Sequence, residues 1–180
     1  MFKDFPKDEL YLCHNDCYYL NTLFDKNKKK LSFIDFEYSG LNPFGSDIVH
    51  IMNECTFDYS VTEYPYYVYD QEKLPKEEDI KEMIRALFTF WDNKDLRFRG
   101  ESADDFVYML KSSREFHQIS DDRVEKHYKL IKKFALVNCY FYLLWTLYDL
   151  KNKDFVMDFL MYAADRAKLY LAAKESYFAS

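Results

Sequence analysis

Glycine is scarce in this chain: three in 180 residues, Gly40, Gly45 and Gly100. A loop that cradles phosphate needs several glycines within a few residues so that backbone N–H groups can close on the anion, and no window here supplies them. Proline is nearly as rare, and all four (Pro6, Pro43, Pro65, Pro75) fall in the first half, which leaves the second half free to be helical. Basic residues form no stripe that could follow a phosphate backbone. With 25 Lys and Arg against 31 Asp and Glu, the net charge is −6, and nucleic acid is excluded as an expected partner. The "KNKKK" run at 26–30 reads as a solvated turn. There are four cysteines, Cys13, Cys17, Cys55 and Cys139, and no charged segment followed by an apolar one at the start. Free buried thiols in a reducing, cytoplasmic setting are therefore expected. Cys13, His14 and Cys17 lack the second ligand pair that a structural zinc site needs. The longest apolar run, "FALVNCYFYLLWTLY" from Phe134 to Tyr148, is interrupted by Asn138 and falls short of the ~20 residues of a membrane span, so a buried helix is expected there.

What the chain has in abundance is aromatic rings, 20% of its residues, within a hydrophobic fraction of 49%. This is enough for one ordinary domain with its own core and leaves rings to line a pocket. The segments "LYLCH" and "NTLF" look extended, "LSFID" alternates inward and outward faces, and "DKNKKK" between the last two predicts a β-hairpin. Pairing Phe24 near Ser32 would place Asn21 opposite Asp35, since cross-strand partners keep a constant index sum. Ser60 to Leu74, with "TEYPYYVYD", reads as an ordered aromatic loop. From Pro75 the spacing of Ile80, Met83, Ile84, Leu87, Phe88 and Trp91 predicts a helix, with a weaker one from Asp104 to about Phe116. Ser120, Asp121 and Asp122 signal the start of a long helix ending near Tyr148, and a last helix is expected from Phe155 to about Tyr170. The fold class is α+β, mostly α-helical, in one domain over residues 1–180.

The polar residues cluster early. "HNDCYYLN" (14–21) and "IDFEYSG" (34–40) give H-x-D-x-x-x-x-N, a hairpin, and D-x-E. This is the phosphotransfer arrangement of protein-kinase-like folds, where an aspartate accepts the proton of the attacking hydroxyl while an asparagine and a second aspartate hold Mg²⁺ against the nucleotide phosphates. Mg²⁺ prefers carboxylate, carbonyl and water oxygens, so Asn21 and Asp35 at one end of a hairpin suit it, and Asp16 is the base candidate.

Together "HNDCYYLN", "IDFEYSGLNPFGSDIVHIMNE" and "FALVNCYFYLLWTL…DFLMYAADR" closely resemble the choline/ethanolamine kinase family, from about Leu10 to Tyr170. The resemblance implies the C-terminal lobe of a protein-kinase-like, choline kinase-like fold with a short β-hairpin at the active site. It implies MgATP as co-substrate, choline or ethanolamine as acceptor, and Asp16, Asn21 and Asp35 as the catalytic set. Asn21, Asp35 and Glu37 would lie at the metal and nucleotide phosphates. Asp47 is expected to stabilise the loop, and His50 to be a hydrogen-bonded packing residue and not a catalyst. Substrate positions fall on Asp16, Tyr38, Glu54, Tyr59, Tyr142, Trp145, Phe159 and Tyr162. A trimethylammonium group has no N–H donors and is held by aromatic faces and a nearby carboxylate. Tyr142 and Trp145, like Phe159 and Tyr162, are three apart and share a helix face, though such spacing is also the signature of a packed core.

Three positions depart from the choline kinase pattern: Tyr18 stands where glutamine is usual, Tyr142 where tryptophan is usual, and Phe159 where tyrosine is frequent. Choline is expected over ethanolamine by a small margin. The glycine-rich loop and strand lysine of a nucleotide-binding lobe are absent from this chain. That absence implies uncovered apolar surface and, with it, a homodimer or poor solubility unless another surface covers it. Two other readings use the same residues: a non-catalytic amine- or partner-binding module, and an aminoglycoside-type phosphotransferase, whose sites are richer in acidic residues than "DFEYSG".

Overall fold

Short strands carry the first third of the chain and helices the rest. The structure, a computed structural model, describes residues 10–92, 119–150 and 157–179. Strand β1 (Leu10–Cys13) pairs antiparallel with β4 (Gly40–Pro43), and between them β2 (Thr22–Asp25) and β3 (Lys30–Phe33) form the expected hairpin. Helix α1 (Ser46–Glu54) follows directly. A third two-stranded ribbon, β5 (Phe57–Asp58) with β6 (Val68–Tyr69), organises much of what reads from sequence as a loop. Helices α2 (Glu77–Asp92), α3 (Asp121–Asp149) and α4 (Phe159–Phe178) complete the described fold.

The hairpin register differs from the sequence expectation by one residue. Phe24 pairs with Leu31 and Leu23 with Ser32, so Asn21 faces Ile34, whose N–H donates to the Asn21 carbonyl at 3.0 Å. A slip of one residue turns every side chain to the opposite face. Asp35 therefore lies one step beyond the ladder, in a left-handed backbone conformation with φ of 63°. The expected inward and outward alternation of β3 is also absent. All four of its residues are exposed, because the ribbon stands clear of the core on both faces.

Helix α2 begins and ends where its apolar spacing predicts, with Ile80, Ile84 and Phe88 buried. They pack with Phe44, Ile48, Val49 and Met52 around α1, and with Val124, Tyr128 and Ile131 of α3, to make the main core. A second cluster joins Phe57, Tyr67, Cys139, Tyr162 and Leu169. Ser120 caps α3 by accepting the Arg123 N–H, as its position predicts. Asp158 caps α4 through the N–H groups of Leu160 and Met161, and α4 runs to Phe178 because no proline or glycine interrupts "LAAKESYF". The expected helix from Asp104 to Phe116, and Phe155, lie outside the described residues.

The Phe134–Tyr148 run does form a helix, but a half-open one. Only Cys139 and Thr146 in it are buried, while Tyr140, Phe141, Leu144, Leu147 and Tyr148 face outward. Asn138 is accommodated by accepting from Asn53 Nδ2 of α1 at 2.8 Å. By length and composition α3 is the one described helix that could cross a membrane.

Gly45 fixes how α1 meets α3. Its φ of 88° is left-handed, and an added Cβ would stand 2.7 Å from Ile131 Cγ1 in the main core. Backbone strain and overpacking then act together, so Gly45→Ala is expected to cost about 2–4 kcal/mol. Urea unfolding would read the loss, and a change under ~1 kcal/mol would show that the two helices separate without penalty.

Candidate functional site

The loop from His14 to Asn21 is held by the start of α1. Asp47 Oδ2 accepts the His14 N–H at 2.9 Å and Oδ1 accepts the Asn15 N–H at 2.8 Å, so Asp47 anchors the loop as expected. Asn15, itself left-handed with φ of 66°, donates to the Tyr38 carbonyl at 2.8 Å and accepts from Asn42 at 2.6 Å. His14 Nε2 lies 2.8 Å from the Ile34 carbonyl, which only accepts, so that nitrogen carries the proton. Loop, hairpin exit and β4 are thus locked into one unit.

Within it Asp16 has both oxygens engaged. Oδ2 accepts from Asn21 Nδ2 at 2.7 Å, and the same amide donates to the Asp16 carbonyl at 2.9 Å. Oδ1 faces His50 Nε2 at 3.3 Å. The close approach of the His50 ring outweighs the cost of partial burial and, with Asn21, holds the Asp16 carboxyl below the usual carboxylate value. Asp16 is accordingly a charged acceptor at neutral pH. His50, expected to be a hydrogen-bonded packing residue, is buried with Nε2 turned to this carboxylate.

With both amide protons of Asn21 given to Asp16, its Oδ1 remains as a hard oxygen donor. Asp35 and Glu37 are exposed on the turn that follows β3. Among the described residues no three His, Cys, Asp or Glu side chains gather to hold a metal by themselves. An ion carried in on nucleotide phosphates needs only one or two protein oxygens, and the amide of Asn21 with the carboxylate of Asp35 meets that requirement in type. Tyr38 is exposed, and it is its backbone carbonyl, bonded to Asn15, that contributes to the loop.

The remaining candidates converge. Ring centroids run from Tyr142 to Trp145 (6.4 Å), Phe159 (6.2 Å), Tyr162 (6.0 Å) and Tyr59 (6.3 Å). Two rings not foreseen from the sequence close the circuit: Tyr18, 6.3 Å from Tyr59, and His50, 6.3 Å from Tyr18 and 5.1 Å from Tyr142. Every separation lies within the range of favourable aromatic pairs. Asp16 stands at the His50 corner. Beside the circuit opens a cavity of about 380 Å³ lined in part by Tyr18, Tyr19, Thr22 and Glu54.

Glu54 is not a free carboxylate. Oε1 accepts from Arg166 Nη2 at 2.5 Å and Oε2 from the Tyr59 hydroxyl at 2.8 Å. Arg166 also donates to the Tyr162 hydroxyl and lies over the rings of Phe57, Tyr142 and Tyr162 at 4.3, 5.0 and 4.7 Å. Burial alone would disfavour its charge, yet Glu54 and the tyrosine oxygens raise its pKa above the ordinary value. Burial first, and then Glu54, push the Tyr59 hydroxyl up, so it stays protonated and donates. Arg166 is the residue the sequence reading passed over. Its signal was the i, i+4 spacing from Tyr162 within "YAADR". On α1, Asp47, His50 and Glu54 at spacings of three and four share one face, which aims all three at the site.

The choline/ethanolamine kinase family model matches residues 2–171. Mouse choline kinase alpha is 27% identical over 175 residues, 94% of this chain and 35% of the relative. Mouse ethanolamine kinase 1 is 26% identical over 91% of this chain and 38% of its own length. The crystal structure of a choline kinase from Cryptosporidium parvum superimposes with a TM-score of 0.66 at 25% identity, covering 94% of this chain and 40% of that one. The chain thus spans between about a third and two fifths of the proteins it matches, and its fold is the mostly helical, kinase-like lobe of that neighbour.

Proposed function

Since this chain belongs to the choline/ethanolamine kinase family, we propose that it forms the substrate-side lobe of an enzyme that phosphorylates the hydroxyl of choline or ethanolamine with MgATP. This is the first step toward phosphatidylcholine or phosphatidylethanolamine. The observation that carries the reading is the junction of Asp16 with the aromatic circuit: a charged proton acceptor at the edge of a cation-binding wall. An amino alcohol is short, so its ammonium and its hydroxyl need these two surfaces side by side. Ring faces hold the cation, each contact contributing about 0.5–2 kcal/mol.

In this reading the hydroxyl oxygen forms a bond to the γ-phosphorus, the bond from that phosphorus to the β-γ bridging oxygen breaks, and the hydroxyl proton passes to Asp16. Asn21 and Asp35 would hold Mg²⁺, with Glu37 beside them, and the ion would offset charge on the phosphates. Asn21 also fixes Asp16 Oδ2. Most of the acceleration would come from positioning and electrostatics. The groups that would cradle ATP belong to a second lobe, and the reaction to the cytoplasm.

Incubating the chain with MgATP and each amine, and detecting phosphocholine and phosphoethanolamine by mass spectrometry, tests the assignment. Quenching of Trp145 fluorescence by choline, with product formed only when a nucleotide-binding lobe is supplied and lost in Asp16→Ala, is the expected result. Absence of product together with no quenching of Trp145 fluorescence by either amine would favour the partner-binding reading and reject this one.

A further inference from the structure

The wall of rings already holds a cation, and it is the protein's own. Arg166 is 3% exposed, sits over three aromatic faces and occupies Glu54 Oε1, while Tyr59 occupies Glu54 Oε2. The carboxylate that would pair with a substrate ammonium is therefore neutralised and has both oxygens engaged before any substrate arrives. Arg166 Nε is buried with no hydrogen-bond partner, so the guanidinium carries a surplus donor and offers no acceptor.

We propose that Arg166 is a specificity-determining residue, which by engaging Glu54 jointly with Tyr59 leaves a pocket rich in faces and poor in acceptors, and so selects a quaternary over a primary ammonium. The inference rests on the amine-kinase reading above and deepens it. A primary ammonium carries three N–H donors and loses hydration that only acceptors can replace. A trimethylammonium has none and needs only faces. The tyrosine hydroxyls that could have accepted already face the guanidinium, Tyr162 and Tyr59 both accepting from Arg166 Nη2, and the Tyr59 proton goes to Glu54. Asp16 is the nearby carboxylate that remains, and its role is at the hydroxyl end.

The test is the ratio of dissociation constants for ethanolamine and choline, measured by calorimetry on the chain and on two variants. Tyr59→Phe releases Glu54 Oε2 while keeping both members of the buried ion pair. Arg166→Gln releases Oε1. The wild type is expected to favour choline, and Tyr59→Phe to narrow the ratio by about tenfold, the scale of one hydrogen bond to a charged group. Arg166→Gln, where it folds, should narrow it further. Choline and ethanolamine binding equally to the wild type, or a ratio unmoved by Tyr59→Phe, would overturn the inference while leaving the kinase reading in place. Failure of both amines to bind the wild type would instead remove the kinase reading, and this inference with it.

Discussion

Replacing Arg166 by methionine is expected to cost about 3–5 kcal/mol of stability, because it strands Glu54 as a buried charge without its partner. Methionine reproduces the arginine stem as far as Nε and leaves unfilled only the guanidinium end over Phe57, Tyr142 and Tyr162, so most of the loss would come from charge. The partner is as deeply buried as the arginine, at 6% exposure, and neither can turn to solvent for relief. The double variant Glu54→Gln with Arg166→Met removes both charges and should recover most of the loss, since a buried pair replaced as a unit is often near neutral. Urea unfolding of the two single variants and the double gives the coupling directly. Additive losses would mean that the two groups do not act as a pair, and would also undercut the selectivity assigned to Arg166.

Much of the architecture was legible because it is written in periodicity. The apolar spacing from Ile80 to Trp91 marks α2, the Ser120 cap marks α3, and two extended runs around "DKNKKK" mark the hairpin. Less legible was anything that depends on what lies across the fold. The register differs by one because the ribbon has no buried face to fix it, so the alternation in "LSFID" marks no covered side. The apolar run of α3 read as buried because composition does not say which face is covered. In the site, motif spacing located Asp16 and Asn21, and helix spacing paired Tyr142 with Trp145 and Phe159 with Tyr162. Three further residues required the fold. His50, expected as a hydrogen-bonded packing residue, gained Asp16 as its neighbour only once α1 was in place, Tyr18 stood out in sequence only as a departure from glutamine until it closed the circuit, and Arg166 went unread until α4 brought it 112 residues back to Glu54.

Asp16→Asn is expected to lower kcat for amine phosphorylation by about 10²–10⁴ while changing the amine KM far less. The substitution keeps the size of the side chain and one oxygen to accept from Asn21, so the loop should stay in place under the hold of Asp47. What it removes is the charge that lets this position take a proton. His50 is then left facing an amide where it had faced a carboxylate, and its ring can donate to the new oxygen or accept from the new nitrogen, which spares the fold a buried conflict. A merely structural Asp16 would show its effect in amine affinity or stability and leave turnover of the bound complex largely intact. A kcat within tenfold of wild type would therefore take the proton-accepting role from Asp16. Catalysis would then have to come from positioning and metal electrostatics alone, which a loose phosphoryl-transfer transition state tolerates to some degree.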